Sequence, residues 1–234
     1  MEQKFFFFDI DNTLAVWPEG KIPNSAQYCI DELQRRGHLV SIATGRIQVD
    51  AMRFAEQARI TNVVADGGHS ITIDGNLVSM IGMNREMCIQ YLEYLESKHI
   101  PWAVTDRNKL GRITPYKEIL EWHPDWDVFK TVVDPEFDFH SVEDFYKIYV
   151  FFKDGEEEEK DIEHMTHKLI RYGEGCVLYE PMEKALGIRN MIGHFDMKPN
   201  QVVVFGDGYN DLSMFRPEWL NIAMGNARPE LKLE

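Results

Sequence analysis

The stretch Asp9-Ile10-Asp11-Asn12-Thr13-Leu14 follows directly on the apolar run Phe5-Phe6-Phe7-Phe8. The run predicts a short buried strand whose C-terminal end delivers two carboxylates. In extended backbone, residues i and i+2 face the same side, so Asp9 and Asp11 are expected at one spot on the sheet edge. Two acids side by side repel unless a cation or a proton lies between them. Such an arrangement suits a hard divalent metal, a carboxylate nucleophile with a nearby general acid, or both.

Two further expected strand ends carry polar clusters. Leu39 to Ala43 runs into Thr44-Gly45-Arg46, and Gln201 to Phe205 runs into Gly206-Asp207-Gly208-Tyr209-Asn210-Asp211. Lys184 stands at the start of the helix expected before the last of these strands. Ligands of open α/β sheets bind beyond the carboxyl ends of the strands. Asp9, Asp11 and Asp207 could meet there around one octahedral Mg²⁺, which favours one or two carboxylates, retained waters and a substrate phosphate. Thr44 and the backbone N–H of Gly45 at a helix start are fitting phosphate donors. Lys184 would neutralise both a phosphate and the crowded acids. Taken singly, such an Asp is a turn or cap, Thr44 an N-cap and Lys184 a solvated helix end. Three clusters on three strand ends are much harder to explain that way. The glycine spacing fits neither a Walker loop nor a dinucleotide fingerprint.

The elements that must position these groups alternate. After the phenylalanine strand, Ala26, Cys29, Ile30 and Leu33 recur at helical spacing, with Asn24 or Ser25 as N-cap and Gly37 as terminator. A second strand ends at Ala43, a helix runs to about Arg59, and Asn62 to Ala65 is a third strand. This β-α-β-α-β order predicts an α/β fold, a Rossmann-like doubly wound parallel sheet with helices on both faces. Ser70 to Met80 reads as a hairpin around Asp74-Gly75-Asn76. The middle is different. It offers a helix from Asn84, a strand at Pro101 to Val104, an irregular aromatic-rich stretch from 106 to 130, and a strand at Tyr146 to Phe152. A turn at Asp154-Gly155, a helix from about Glu156 to Tyr172 and a strand at Cys176 to Tyr179 follow. An inserted α+β lobe over residues 80–182 is therefore expected, splitting a core formed by 1–79 and 183–234. Alternation returns with a helix through Ala185, Ile188, Met191 and Ile192, the strand ending at Phe205, and a last strand at Asn221 to Met224.

Composition narrows the functions. The 234 residues are 44% hydrophobic, enough for a core, and the net charge is 25 minus 39, or −14. That charge disfavours nucleic acid and anionic membrane as partners. Cys29, Cys88 and Cys176 are too scattered for a disulfide framework or a zinc site and fit reduced cytoplasmic thiols. The opening phenylalanines are too few for a signal peptide, and no stretch approaches membrane-spanning length.

Asp9-Ile10-Asp11-Asn12-Thr13-Leu14, Ala43-Thr44-Gly45-Arg46, Glu183-Lys184-Ala185-Leu186 and Gly206 to Asp211 together resemble the four ordered motifs of the haloacid dehalogenase-like hydrolases. Ala223-Met224-Gly225-Asn226-Ala227 is similar to a stretch of the Cof-type branch, subfamily IIB. Members of that branch carry a C2-type cap where the inserted lobe falls here. The resemblance implies that Asp9 is the nucleophile, forming an aspartyl-phosphate, and that Asp11 is the general acid and then the base. It implies Mg²⁺ held by Asp9, the backbone carbonyl of Asp11, and Asp207, with Asp211 supporting the metal shell or orienting Lys184. Thr44, Gly45, Arg46, Lys184 and Asn210 are implied on the phosphate or substrate. Asp66-Gly67-Gly68-His69 departs from the Asn-Gly-Ala often found after the third strand. Relatives also usually continue beyond the Ala223 to Ala227 stretch, so an open sheet edge is expected.

The implied activity is Mg²⁺-dependent hydrolysis of a small phosphorylated metabolite, such as a sugar phosphate, by a monomer or homodimer. A phosphomutase on the same fold is the alternative, and a receiver-like phospho-Asp signalling module a more distant one. Weaker signals favour plain structure. Trp102, Tyr116, Trp122 and Trp126 could stack a sugar but fit local core. His164 and His167, and the basic Arg107, Lys109, Arg112 and Lys117, read as solvated faces, and Glu156 to Glu159 as acids that suit the dipole at a helix start.

Overall fold

Four consecutive phenylalanines can all be buried only in a strand covered on both faces, which is the setting of a parallel sheet between helices. The computed structural model, which describes residues 2–16, 20–126, 128–153, 156 and 169–233, buries Phe5, Phe7 and Phe8 in such a strand and leaves Phe6 half-buried. In chain order the first elements are β1 (Phe5–Phe8), α1 (Asn24–Arg35), β2 (Leu39–Ala43), α2 (Gln48–Ala58), β3 (Asn62–Ala65), β4 (Ser70–Ile73) and β5 (Asn76–Met80). Next come α3 (Arg85–Ser97), β6 (Trp102–Thr105), β7 (Gly111–Thr114), α4 (Ile119–Trp122), β8 (Lys130–Val133), β9 (Lys147–Phe151), β10 (Leu169–Gly173) and β11 (Cys176–Tyr179). The last are α5 (Lys184–His194), β12 (Val202–Gly206) and β13 (Leu220–Ala223).

The described chain divides into two units, residues 1–80 with 182–234, and residues 81–181. In the first unit the strand order is β13-β12-β1-β2-β3-β4-β5. The five strands from β13 to β3 are parallel, and β4 and β5 add an antiparallel hairpin. Phe5 and Phe7 pack with Ile188, Met191 and Ile192 of α5, while Phe8 packs on the opposite face with Ile30 of α1 and Ala51, Phe54 and Ala55 of α2. The expected α/β architecture is thus present. One local expectation fails: α1 starts at Asn24 behind Pro23, with no side-chain cap. Proline's fixed φ suits the entry to a helix and needs no capping donor.

The chain steps from β1 to β2 to β3 in one direction and later returns on the other side of β1 as β12. The strand order therefore reverses between β1 and β12, which is where open α/β sheets bind ligands. Phe8 is in register with Phe205, and the Asp9 N–H donates to the Phe205 carbonyl at 3.0 Å. The two acidic strand ends are therefore neighbours by hydrogen-bond register.

The second unit has a sheet in the order β10-β11-β9-β6-β7-β8, antiparallel except for the β7–β8 pair. Its strands alternate between two apolar layers. Trp102, Val104, Ile148 and Val150 meet Cys88, Leu92 and Leu95 of α3 on one face, and Ala103, Phe129, Tyr149 and Phe151 form the other. Several expectations are corrected here. Residues 106–130 are not irregular throughout but contain β7 and α4. Short strands without clean alternation, Gly-Arg-Ile-Thr among them, give no period to read. The expected helix from Glu156 lies mostly outside the described residues, as do His164, His167, the turn at 154–155 and most of Glu156 to Glu159. Its last part is the strand β10, which pairs antiparallel with β11. Trp102 is fully buried, with its Nε1 donating to Glu96, so it is core. Arg112, expected on a solvated face, is also fully buried. It bonds Thr131 and the His123 carbonyl and lies over the rings of Phe129, Tyr149 and Phe151.

Candidate active site

Asp9 leaves the end of β1, and Lys184 opens α5. The Lys184 ammonium sits between two carboxylates, 2.7 Å from Asp9 Oδ1 and 2.6 Å from Asp211 Oδ1. All three side chains are buried. Asp211 is held by its other oxygen, which accepts the N–H groups of Asp207 at 2.8 Å and Gly208 at 2.9 Å. Gly206 is required at this point, because a Cβ there would lie 2.6 Å from Asp211 Oδ2.

Asp207 stands beside this trio. It accepts from the Thr13 hydroxyl at 2.9 Å and from the Asn226 amide at 3.4 Å, and the same amide donates to the Asn12 carbonyl at 3.0 Å. Oxygens of Asp9, Asp207 and Asp211 come within 4.8 Å of one another. Three carboxylates against one ammonium leave negative charge uncompensated in a desolvated place. Burial first, then the charge of Asp211, pushes the Asp9 carboxyl up to about 8 against the pull of Lys184. Asp207 is raised by burial as well, although the Thr13 hydrogen bond opposes it. For Lys184, burial acts downward, but the two acids outweigh it and raise it above the usual lysine range. Hard oxygen donors with excess negative charge fit a small divalent cation such as Mg²⁺. Asp211, already accepting three hydrogen bonds, is built as a brace more than as a ligand.

Asp11 is not gathered with that group. The chain turns immediately after Asp9: Leu14 N–H reaches the carbonyls of both Asp9 and Ile10, and Asn12 has φ +58°. The same-side rule for extended backbone therefore does not apply past Phe8. The Asp11 carboxylate instead meets Arg46 side-on, with Nε to Oδ2 at 2.9 Å and Nη2 to Oδ1 at 2.7 Å. Arg46 also donates from Nη1 to Asp50 at 2.6 Å and stacks on Phe54 at 4.6 Å. Burial opposes the charge on Arg46, but Asp11 and Asp50 outweigh it and raise its pKa. Its donors are thus engaged with carboxylates.

Thr44 follows β2. Its hydroxyl accepts the Arg46 N–H at 3.1 Å, which leaves the hydroxyl proton for another acceptor. Gly45 lies between them at the approach to α2. The Thr44 carbonyl accepts from Gly67 N–H, and the Gly67 carbonyl accepts from Glu183 N–H. One residue thereby ties the Thr44 segment to the start of α5. The Asp66-Gly67-Gly68-His69 departure has a packing reason. Gly68 has φ +109°, and a Cβ on it would collide with the Glu183 carbonyl. Asn210 lies in the turn after β12, with its amide oxygen in the space left by Gly208 and its carbonyl accepting from Ser213.

Motif spacing did not point to Asn226, Thr13 or Asp50 as partners of these groups. Thr13 and Asn226 stand in stretches already quoted for other reasons, but their bonds to Asp207 arise only when strand ends are adjacent. Asp50 carried the one local hint, an acid four residues after Arg46 at a helix start.

The family model for haloacid dehalogenase-like hydrolases matches residues 6–234. The chain belongs to that family, and it is an enzyme of the hydrolase kind. It is 29% identical over 238 residues to YkrA of Bacillus subtilis, a candidate phosphatase, across 99% of this chain and 90% of that protein. It is 26% identical over 233 residues to a candidate bifunctional phosphatase and peptidyl-prolyl cis-trans isomerase of Streptococcus pyogenes. That match covers 98% of this chain, which spans only 49% of the streptococcal protein. A solved structure from Geobacillus kaustophilus shares the fold with a TM-score of 0.81 at 27% identity, covering 99% of this chain and 91% of the other. Among the described residues no helix is long and apolar enough to cross a membrane.

Proposed function

We propose that this hydrolase is a Mg²⁺-dependent phosphatase that cleaves the monoester of a small phosphorylated metabolite, with sugar phosphates as the first class to test. The observation that carries the reading is the buried Asp9–Lys184–Asp211 bridge beside Asp207, at the point where strand order reverses. Phosphatase names among the relatives support it.

Asp9, Asp207 and the backbone carbonyl of Asp11 are the residues that would hold the ion. When bound, Mg²⁺ supplies the positive charge that keeps Asp9 ionised and offsets the charge on the phosphoryl oxygens. Burial and the charge of Asp211 favour the protonated, non-nucleophilic form of Asp9 against the pull of Lys184, and a bound cation would shift the balance toward the carboxylate. Asp9 attacks phosphorus, the ester P–O bond breaks, and the departing alcohol takes its proton from Asp11, which must first pick one up and turn out of the Arg46 fork that engages both its oxygens in this structure. Asp11 then takes a proton from water, which attacks the aspartyl-phosphate, releases inorganic phosphate and restores Asp9. The Thr44 hydroxyl, the Gly45 N–H and Lys184 orient the phosphoryl group, with Asn210 as a further contact. Asp211 keeps Lys184 in place. Arg46, implied as a phosphate contact by motif, is paired with Asp11 and Asp50 here. The inserted unit is assigned the cap role of selecting the leaving group.

Release of inorganic phosphate from a panel of phosphorylated metabolites, with Mg²⁺ and after chelation, tests this reading. Isomerised sugar phosphate without phosphate release would instead make the enzyme a mutase.

A further inference from the structure

Arg112 projects from β7 and is fully buried. Its Nε donates to the Thr131 hydroxyl at 2.9 Å and its Nη2 to the His123 carbonyl at 2.7 Å, both neutral acceptors. Its Nη1 is buried as well and meets no acceptor among the described residues. The neighbouring acid, Asp125, accepts from the Thr131 N–H and makes no ion pair with the guanidinium. An arginine stays charged in proteins, so a full positive charge is held here out of water. Burial opposes that charge more than Tyr149, Cys176, Tyr172 and Asp125 support it. A buried ion is costly unless a partner of opposite charge is supplied.

The surroundings limit what that partner can be. The guanidinium lies over the rings of Phe129, Tyr149 and Phe151, at 5.5, 5.4 and 4.9 Å from their centres. One cation in an apolar layer offsets one negative charge, and a dianion there would keep a charge unpaired. The layer also reaches the surface. Trp126 stacks on Phe129 at 4.5 Å, Tyr172 meets Tyr149 edge-on at 5.7 Å, and both outer rings are exposed. Exposed side chains exchange rotamers quickly, so the layer is bounded there by groups that can move aside.

We propose that the inserted unit binds a monocarboxylate with an apolar or aromatic skeleton, its carboxylate on Arg112 Nη1 and its skeleton against the rings of Trp126 and Tyr172. The site uses no group of the catalytic machinery, so it is tested apart from the phosphatase reading. The plainer account makes Arg112 a structural cation satisfied by three ring faces and a buried water. That account predicts no response to a carboxylate.

Benzoate is the probe, and benzamide, similar in shape but uncharged, is the control. Both are titrated into the intact protein with chelator and without substrate. In isotope-labelled protein the Arg112 guanidinium NMR signals should shift with benzoate to saturation, together with the Trp126 indole signal, and benzamide should leave Arg112 unmoved. Thermal melts give a second readout, because a ligand of the folded state raises the folding equilibrium constant about a hundredfold at about a hundred times its Kd. Benzoate should raise the melting temperature of the wild type and not that of Arg112→Met, which replaces the cation by an apolar chain. If Arg112→Met does not fold, the wild-type NMR titration decides alone. No saturable Arg112 shift with benzoate up to tens of millimolar, or equal shifts with benzamide, would overturn the proposal. So would equal stabilisation of Arg112→Met by benzoate, or inorganic phosphate occupying Arg112 more tightly than benzoate does.

Discussion

Lys184 and Asp9 are separated by 175 positions in the chain, yet the Lys184 Nζ lies 2.7 Å from Asp9 Oδ1, with both side chains buried. The contact joins the two segments that flank the inserted unit. It also shows why the site needs both. Neither charge is tolerable alone in a desolvated place, and Asp211 on the other side of the ammonium completes the pairing.

Removing Lys184 should therefore cost stability as well as activity. Lys184→Met leaves two buried carboxylates without a counter-charge, and breaking a buried pair by deleting one partner costs about 3–5 kcal/mol. Denaturant melts without metal should show the loss, and Mg²⁺ should restore part of it. An unchanged midpoint would mean the ammonium is not the counter-ion it is drawn to be.

Asp9→Asn keeps shape and polarity but removes the nucleophile. Mg²⁺-dependent hydrolysis of p-nitrophenyl phosphate should vanish, whereas Asp207→Ala should shift the Mg²⁺ concentration needed for half-maximal rate upward. Wild-type turnover in Asp9→Asn would reject the assigned nucleophile.

The metal-free protein should become less stable as pH rises. Asp9 has an ordinary value of 3.8 and is raised to about 8 in the folded chain. Between those values the folded state binds more protons than the unfolded state, so unfolding free energy falls with increasing pH. Adding Mg²⁺ favours the ionised carboxylate and should raise the melting temperature more at pH 8 than at pH 5. Thermal melts across that window, with chelator and with Mg²⁺, check the sign. A stabilisation by Mg²⁺ that is larger at pH 5 would contradict it.

Gly68→Ala should disturb the start of α5. The position has φ +109°, and the added methyl meets the Glu183 carbonyl. Left-handed strain alone costs on the order of 1 kcal/mol, and moving backbone adds to it. A lower melting temperature together with reduced phosphate release is expected.

Much of the site was legible because it is built from strand ends. The Phe5–Phe8 run, Leu39–Ala43 and Val202–Phe205 are apolar enough to announce buried strands, and each is followed at once by polar residues that no core would keep. The inserted unit is less legible. Gly111-Arg112-Ile113-Thr114 carries a buried arginine that neutral acceptors and three ring faces accommodate, so its polarity does not mark an exposed segment. Leu169 to Gly173 continues a helical pattern in the sequence, and only its pairing with Cys176 to Tyr179, a non-local matter, makes it a strand.

The sequence by itself determined the parallel α/β architecture, the order of the motifs and the identity of the carboxylates and the lysine. Those follow from local periodicity and from residue type, which the chain carries without folding. Tertiary structure alone decided the partnerships: Asp9 with Lys184, Asp207 with Thr13 and Asn226, and Asp11 with Arg46 and, through it, Asp50. Parallel strands bring distant segments side by side by hydrogen-bond register, and a single tight turn after Asp9 redirects the next carboxylate. Neither effect is written in the spacing of the residues concerned.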